Sequence, residues 1–401
     1  MMAICRSLNG ARPCPAGTAD VPGPAARPED ALRVLHVVSS DSFAGIERHV
    51  LNLIRELRTL GCLAELACPP TAIRLREEAL AAGIPSRPSA TCRPRTWLAT
   101  LARDVADDPP GVLHVHDGRA AVAGALLSLL APGRLVRTQH FTHPASVERS
   151  GLRGRASLGM HRLLNRRLDG YTAVSRIVAE GARERRETGH AQVVVIPPAI
   201  ELPSRDAVES ARMERAQIAY PVVAFAGRLE AERQLDVLLR AIPLVLTKLP
   251  RSHFVLAGSG AVEGQLRLLA AQLGIEQNIT WTGWVPDTYA VLSRAHIYVN
   301  TWPREGFGMA TAEAMALGLP VVAINAGASA EIVDPGVTGF LVSEGDSDAL
   351  AAAIVRVLAD DELASTMGHA AHLRAMSAYG AKRTAQDTLA FYRRLSETLG
   401  S

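Results

Sequence analysis

The strongest constraint on how this chain folds is a strand-then-helix alternation that runs through it twice. It opens at LRVLHVVS (32–39), a short apolar run rich in β-branched residues, as a strand buried on both faces requires. The following segment puts Ile46, Val50, Leu53, Ile54, Leu57 and Leu60 on one helical face, and Gly61 supplies its C-cap. Further strands are expected at LAELACP (63–69), VLHVH (112–116), LVRTQH (135–140), YTAVS (171–175) and VVVIPP (193–198). A polar, poorly patterned stretch from Glu201 to Ala219 interrupts the series. It then restarts with VVAFAG (222–227), HFVLAG (253–258), ITWTG (279–283), IYVNT (297–301) and PVVAI (320–324). Two such series imply an α/β protein of two Rossmann-like parallel-sheet domains facing a central cleft, at 32–198 and 220–377. A length of 401 residues suits two domains. In parallel sheets ligands bind beyond the carboxyl ends of the strands, so residues that follow strands are the candidates for chemistry.

Several classes are excluded early. The longest apolar run, Ala120–Ala131, is too short to cross a bilayer and ends at Pro132. Residues 1–31 lack the continuous apolar core of a secretory signal and read as a disordered leader rich in Pro, Ala and Gly. Five cysteines without a C-x-x-C pair argue against a disulfide framework or a zinc site and fit a reducing cytoplasm. A net charge of +3 gives no footprint for nucleic acid. Residues 1–200 nevertheless hold 26 Arg and Lys against 18 Asp and Glu, while the rest holds 17 against 22, so the halves differ in sign.

The densest chemical signal is PREGFGMATAEAMALGLPVVAINAG (303–327), just after a strand. Gly306 and Gly308 permit close approach and unusual backbone angles, and a helix starting near Met309 offers free N–H groups to a phosphate or sugar oxygen. Glu305 on the loop and Glu313 on the helix can grip separate hydroxyls of one extended ligand; a helix-start carboxylate plus a solvated glutamate is the plainer alternative. AGRLEAERQLD (226–236) sets Arg228 and Arg233 at a strand end, where two cations can neutralise a diphosphate; exposed surface ion pairs are the alternative there. His116, His140 and His143 follow strands of the first domain, whereas His114 lies one alternation earlier and reads as packing. GSGAVEG (258–264) misses the dinucleotide fingerprint by one residue, and Asp346 of DSD reads as a helix N-cap rather than a metal ligand. Arg149, Arg153, Arg155, Arg162, Arg166 and Arg167, interleaved with leucines, form a basic amphipathic segment: a solvated helix face or a peripheral membrane contact.

These motifs resemble the retaining, family-4 glycosyltransferases of the GT-B fold. The resemblance rests on EGFGMATAEAMALGLPVVA, with its glutamates eight residues apart, and on the G-R-L of AGRLEAERQ, in which Arg233 stands at the family's lysine. SFAGIERHV (42–50) is similar to the family's first loop; Gly45 matches its second glycine and Ala44 replaces the first. The resemblance spans about Leu32 to Tyr392. It implies transfer of a sugar from a nucleotide diphosphate sugar to a saccharide, lipid-linked or small-molecule acceptor, without metal or other cofactor. It places Glu305 and His140 at the donor sugar, with His116 as a weaker candidate, and Glu313 at the ribose. Gly45, Arg228, Arg233, Gly306, Phe307, Gly308, Met309 and Ala310 fall around the rest of the donor. It also implies that the last helix, about 378–399, crosses back onto the first domain. A cytoplasmic enzyme, peripheral on the inner membrane face if the basic segment binds lipid, follows. The departures are Gln234 for a glycine and Pro198–Ala199 for the Asn-Gly entering the interdomain connection. A sugar-nucleotide epimerase and a non-catalytic sugar-nucleotide-binding subunit are the competing readings.

Overall fold

The computed structural model describes residues 31–41, 43–87, 96–142 and 159–397. Most of the leader, His143, Arg149, Arg153 and Arg155 lie outside them. From Leu32 onward the chain clusters as one compact unit.

Each alternating series forms its own parallel sheet. The first holds β1 (Arg33–Val37), β2 (Leu63–Ala67), β3 (Ser86–Arg87), β4 (Val112–Val115), β5 (Arg134–Gln139), β6 (Gly170–Ala173) and β7 (Gln192–Val195), in the order β3-β2-β1-β4-β5-β6-β7. The second holds β8 (Val222–Ala226), β9 (His253–Ala257), β10 (Ile279–Gly283), β11 (Ile297–Asn300), β12 (Val321–Ile324) and β13 (Gly339–Val342), in the order β10-β9-β8-β11-β12-β13. Both are doubly wound. Strand order reverses between β1 and β4 and again between β8 and β11, and a crevice opens at each reversal. The short β3 and the glycine-led β13 carry too little apolar pattern to stand out in the sequence.

The last helix, Ala381–Glu397, packs on the first lobe: Ala385, Leu389, Phe391, Tyr392 and Leu395 share one apolar cluster with Val50, Leu53, Ile54 and Leu57 of the helix Gly45–Thr59. The lobes also meet directly. Ala173, Val174 and Val178 belong to the same buried cluster as Phe307, Ile332 and Tyr379. Polar contacts fix the register of that seam. Ser175 Oγ donates to Gly306 O (2.7 Å), and Thr142 Oγ1 donates to Arg304 O (3.0 Å). The Glu331 carboxylate accepts the Arg176 and Ile177 amides at 2.9 and 2.6 Å, so a carboxylate of one lobe caps a helix of the other.

Candidate active site

The loop after β11 is held by its own backbone. Gly308 is the N-cap of the helix Met309–Ala316 with φ 90°, a left-handed conformation that glycine adopts without strain. This turn folds Glu305 back so that its carboxylate meets the Gly306 and Phe307 amides and Asn300 Nδ2 (3.4 Å). Glu305 is 9% exposed. Burial raises its carboxyl above the usual carboxylate range, opposed by the Arg233 guanidinium and these hydrogen bonds. Gly306 also stands where the two lobes approach most closely along this loop. A Cβ there would lie 2.0 Å from the backbone oxygen of His140, so its missing side chain lets the lobes approach each other. The Phe307 side chain, expected near the donor, is buried in the seam, edge-on to Tyr379 at 5.2 Å.

Arg233 is the inner of the two arginines. Its guanidinium lies 4.2 Å from the centroid of the Trp302 ring, and its buried Nε has no partner among the described residues. Burial lowers its pKa, and Glu305 opposes that shift. Arg228 is exposed and pairs with Glu232 at 3.3 Å. Gln234, at the family's glycine position, keeps the backbone a glycine would take (φ 51°, ψ 42°) and donates to Glu344 at 2.7 Å. The substitution therefore leaves the loop shape intact.

Glu313 lies on the helix Met309–Ala316 with 3% exposure. Thr288 Oγ1 donates to it at 2.6 Å, and Arg48, from the first lobe, reaches it at 3.5 Å. Burial raises its carboxyl, and Arg48 then Thr288 oppose the rise. Arg48, Met309 and Glu313 line a cavity of about 750 Å³ between the lobes, together with Asp287 and Tyr289. Gly45 opens the first helix against Met309, whose Sδ would lie 3.0 Å from an added Cβ. Ala44 has extended backbone (φ −143°), which explains why no glycine is needed there. Arg48 and Thr288 could not be found from the sequence: one reads as an ordinary helical arginine, the other as a loop hydroxyl.

The histidines form one buried group at the β1/β4 reversal. His114 bonds Tyr392 Oη and Thr138 Oγ1, the packing role expected of it. His36 Nδ1 and His116 Nε2 share a hydrogen bond of 2.9 Å. His140 sits beside Gly306, and His49, unremarked in the sequence, joins the group with ring centroids 5.3 Å from His140 and 5.7 Å from His116. Desolvation holds every ring of this group neutral, lowering His36 to about 3 and His49 to about 4. Asp346 caps its helix by accepting the Ala349 amide at 2.8 Å, as expected.

Glu305 and Arg233 thus meet at the carboxyl ends of β8 and β11, Glu313 stands eight residues on, and His140 closes the same crevice from the other lobe. The model of "Glycosyltransferase Family 4" matches residues 43–203, and that of "Glycosyl transferases group 1" matches residues 211–374. The chain belongs to the family-4 glycosyltransferases. Similar relatives include a phosphatidyl-myo-inositol mannosyltransferase of Mycobacterium leprae, 29% identical over 81% of this chain and 86% of that one. A GDP-mannose-dependent alpha-(1-6)-phosphatidylinositol monomannoside mannosyltransferase of Mycolicibacterium smegmatis is 28% identical over 63% and 70%. Anabaena HepE in complex with UDP-glucose superposes with a TM-score of 0.75 at 22% identity, covering 92% of this glycosyltransferase and 99% of that chain. The shared architecture is GT-B. Among the described residues no helix is long and apolar enough to cross a membrane.

Proposed function

We propose that this glycosyltransferase moves a hexosyl group from a nucleoside-diphosphate sugar to an acceptor hydroxyl with retention at the anomeric carbon. The carrying observation is the buried Glu305–Arg233 pair at the crevice, a carboxylate and a guanidinium set beside the loop and the Trp302 ring. Arg233 and Arg228 take the diphosphate, whose charge grows as the bond from the anomeric carbon to the phosphate oxygen breaks. Glu305 and His140 hold the sugar while that carbon becomes cationic. The acceptor oxygen bonds to it on the same face, and its proton passes to the departing phosphate oxygen. Glu313 takes the ribose hydroxyls, and the Met309 and Ala310 amides lie at the helix start where phosphate oxygens are favoured. With guanidiniums supplying the positive charge, transfer needs no metal.

The relatives' names speak for phosphatidylinositol-type acceptors, and a lipid-linked acceptor suits the exposed Met160 and Leu163 flanked by the exposed Arg162, Arg166 and Arg167. Such a face would rest on an anionic membrane surface.

Incubation with GDP-mannose, UDP-glucose and related nucleotide sugars, followed by nucleoside-diphosphate release, tests the reading. Glu305→Ala should abolish release while nucleoside-diphosphate binding persists. Epimerised donor without release would favour the epimerase, and binding without turnover the partner subunit.

A further inference from the structure

The Arg233 guanidinium is confined by the surfaces it lies on. It ends the 3-10 turn Ala231–Arg233, ahead of the left-handed Gln234, and its Nε is buried without a hydrogen-bond partner among the described residues. Gly227, the residue after β8, gives it room: a Cβ there would lie 2.7 Å from Arg233 Nη1, so the guanidinium lies close against glycine backbone. It also lies over the Trp302 ring, 4.2 Å from the centroid. An arginine side chain has much rotamer freedom to lose, and these two contacts restrict it before any ligand arrives.

The choice of side chain at 302 sets this contact apart from packing. The indole is 6% exposed, and its one polar atom, Nε1, is buried without a partner among the described residues. Buried tryptophans usually pair that N–H, and leaving it unpaired costs stability. A phenylalanine would fill most of the same space without that cost, but its face attracts a cation less strongly than indole does. The neighbouring residues serve the same arrangement. Thr301 Oγ1 donates to Arg233 O at 2.7 Å and so fixes the backbone from which the arginine side chain springs. Asn300 Oδ1 accepts the Trp302 amide at 3.0 Å, and Asn300 Nδ2 donates to Glu305 at 3.4 Å. Three consecutive residues, at and just after the end of β11, therefore set the cation, its ring and the facing carboxylate.

We propose that Trp302 is a positioning residue for transfer, its ring holding the Arg233 guanidinium at the crevice where the donor's diphosphate arrives. This rests on the donor reading given above. A guanidinium is planar and weakly hydrated, so it can lie on a ring and still present N–H groups at its edge to phosphate oxygens. An ammonium is a compact, strongly hydrated charge and gains less from the ring. The ring therefore acts through the arginine, and its effect on transfer should vanish when the arginine is replaced. A ring that only filled the loop, or that touched the donor itself, would matter whichever cation stood at 233.

The test is a double-substitution cycle in the full-length enzyme: wild type, Trp302→Leu, Arg233→Lys and the two combined. It is read by kcat with GDP-mannose or UDP-glucose, whichever turns over, and by calorimetric affinity for GDP and UDP. With Arg233 present, Trp302→Leu should lower kcat by about threefold to thirtyfold and weaken nucleoside-diphosphate binding in the same direction. In the Arg233→Lys background the same substitution should cost less than about twofold in either. Comparing the two backgrounds cancels the packing lost with the indole. Trp302→Phe, which keeps an aromatic face, should fall between wild type and Trp302→Leu, and it replaces the leucine variant in the cycle should that one not fold. Equal losses in the two backgrounds overturn the proposal, as does wild-type kcat and affinity in the Trp302 variant. If no nucleotide sugar turns over, the transfer reading fails, and the affinities alone then judge the ring: coupling between the two positions upholds it as a support for diphosphate binding, and additivity ends it. A wild type that binds neither GDP nor UDP defeats both.

Discussion

Gly306→Ala separates the site from the fold, because the atom it would strike belongs to the other lobe. The added Cβ would stand 2.0 Å from His140 O and 3.0 Å from His140 C, whereas real Cβ contacts essentially never fall below 3.0 Å. About 1 Å of movement is therefore required. The obstacle is backbone at the end of β5, and the cheapest response is for the two lobes to part along the seam closed by Ser175 and Thr142. Overpacking of this kind costs about 1–3 kcal/mol of stability. A displacement of about 1 Å in a reacting constellation costs on the order of a hundredfold in rate.

Thermal unfolding and donor turnover, measured side by side, give the check. Gly306→Ala should remain cooperatively folded with a lowered Tm and lose about a hundredfold in kcat. Gly264→Ala is the control. It lies in the helix Glu263–Gln272 with nothing within 4 Å of the new methyl, and should raise stability by about 0.5–1 kcal/mol without touching turnover. Near-normal turnover in Gly306→Ala would refute the reasoning, since the approach of His140 to the loop would then be irrelevant to transfer.

Other outcomes follow from the same geometry. His36, His49, His114, His116 and His140 are buried neutral, so the unfolded chain takes up protons below its ordinary histidine pKa of about 6.5 that the folded chain refuses. Stability is full above that pH and falls below it, by about 1.4 kcal/mol per ring at pH 5.5; a Tm unchanged between pH 7.5 and 5.0 would contradict it. Arg48→Ala frees Glu313 from a 3.5 Å ion pair whose guanidinium is partly exposed and which is worth about 0.5–1 kcal/mol, so nucleoside-diphosphate binding by calorimetry should tighten about twofold to fivefold; weaker binding would make Arg48 a ligand contact instead. Arg233→Ala leaves Glu305 buried without its cation and should move the acid limb of the kcat/KM profile to higher pH, whereas Arg228→Ala, exposed and already paired with Glu232, should leave that limb in place. Gln234→Gly should stabilise the chain by about 1 kcal/mol in denaturant unfolding by relieving the left-handed backbone, less what the Glu344 hydrogen bond contributes.

The architecture was legible because its signal is periodic: buried parallel strands read as β-branched apolar runs, and the helices between them as one-sided stripes. β3, with two residues, and β13, opened by Gly339, have no such period and are fixed only by pairing with β2 and β12. Within the site, residues announced by backbone demands were readable. Gly306 and Gly308 mark the loop, and the glutamates flank it. What the sequence could not reveal is identity across the crevice. Phe307 looked like part of a ligand loop and is seam packing, because its burial depends on Tyr379, some seventy residues away in the chain. Arg48, Thr288 and His49 gain meaning only from partners in another lobe or element, and no local pattern encodes that.

Those cross-crevice partners have a common consequence for how the enzyme must work. Several features of the expected donor site are engaged by the opposite lobe: Glu313 by Arg48, the Gly306 carbonyl by Ser175, and the loop backbone by His140. The Arg48 contact is a partly exposed ion pair and exchanges cheaply for ribose hydroxyls. The Ser175 and Glu331 contacts are hydrogen bonds from backbone or hydroxyl groups at 2.6–2.9 Å, embedded beside a shared apolar cluster, and are costlier to open. Donor entry should therefore proceed on the Arg48 side, through the cavity that Glu313 lines, while the Ser175–Glu331 side stays closed as the pivot. A substitution that loosens the pivot, such as Glu331→Gln, should consequently depress kcat more than it alters nucleoside-diphosphate affinity, whereas Arg48→Ala should do the reverse. Steady-state kinetics paired with calorimetry on the two variants distinguishes them, and parallel effects in both would mean that the two ends of the seam open together.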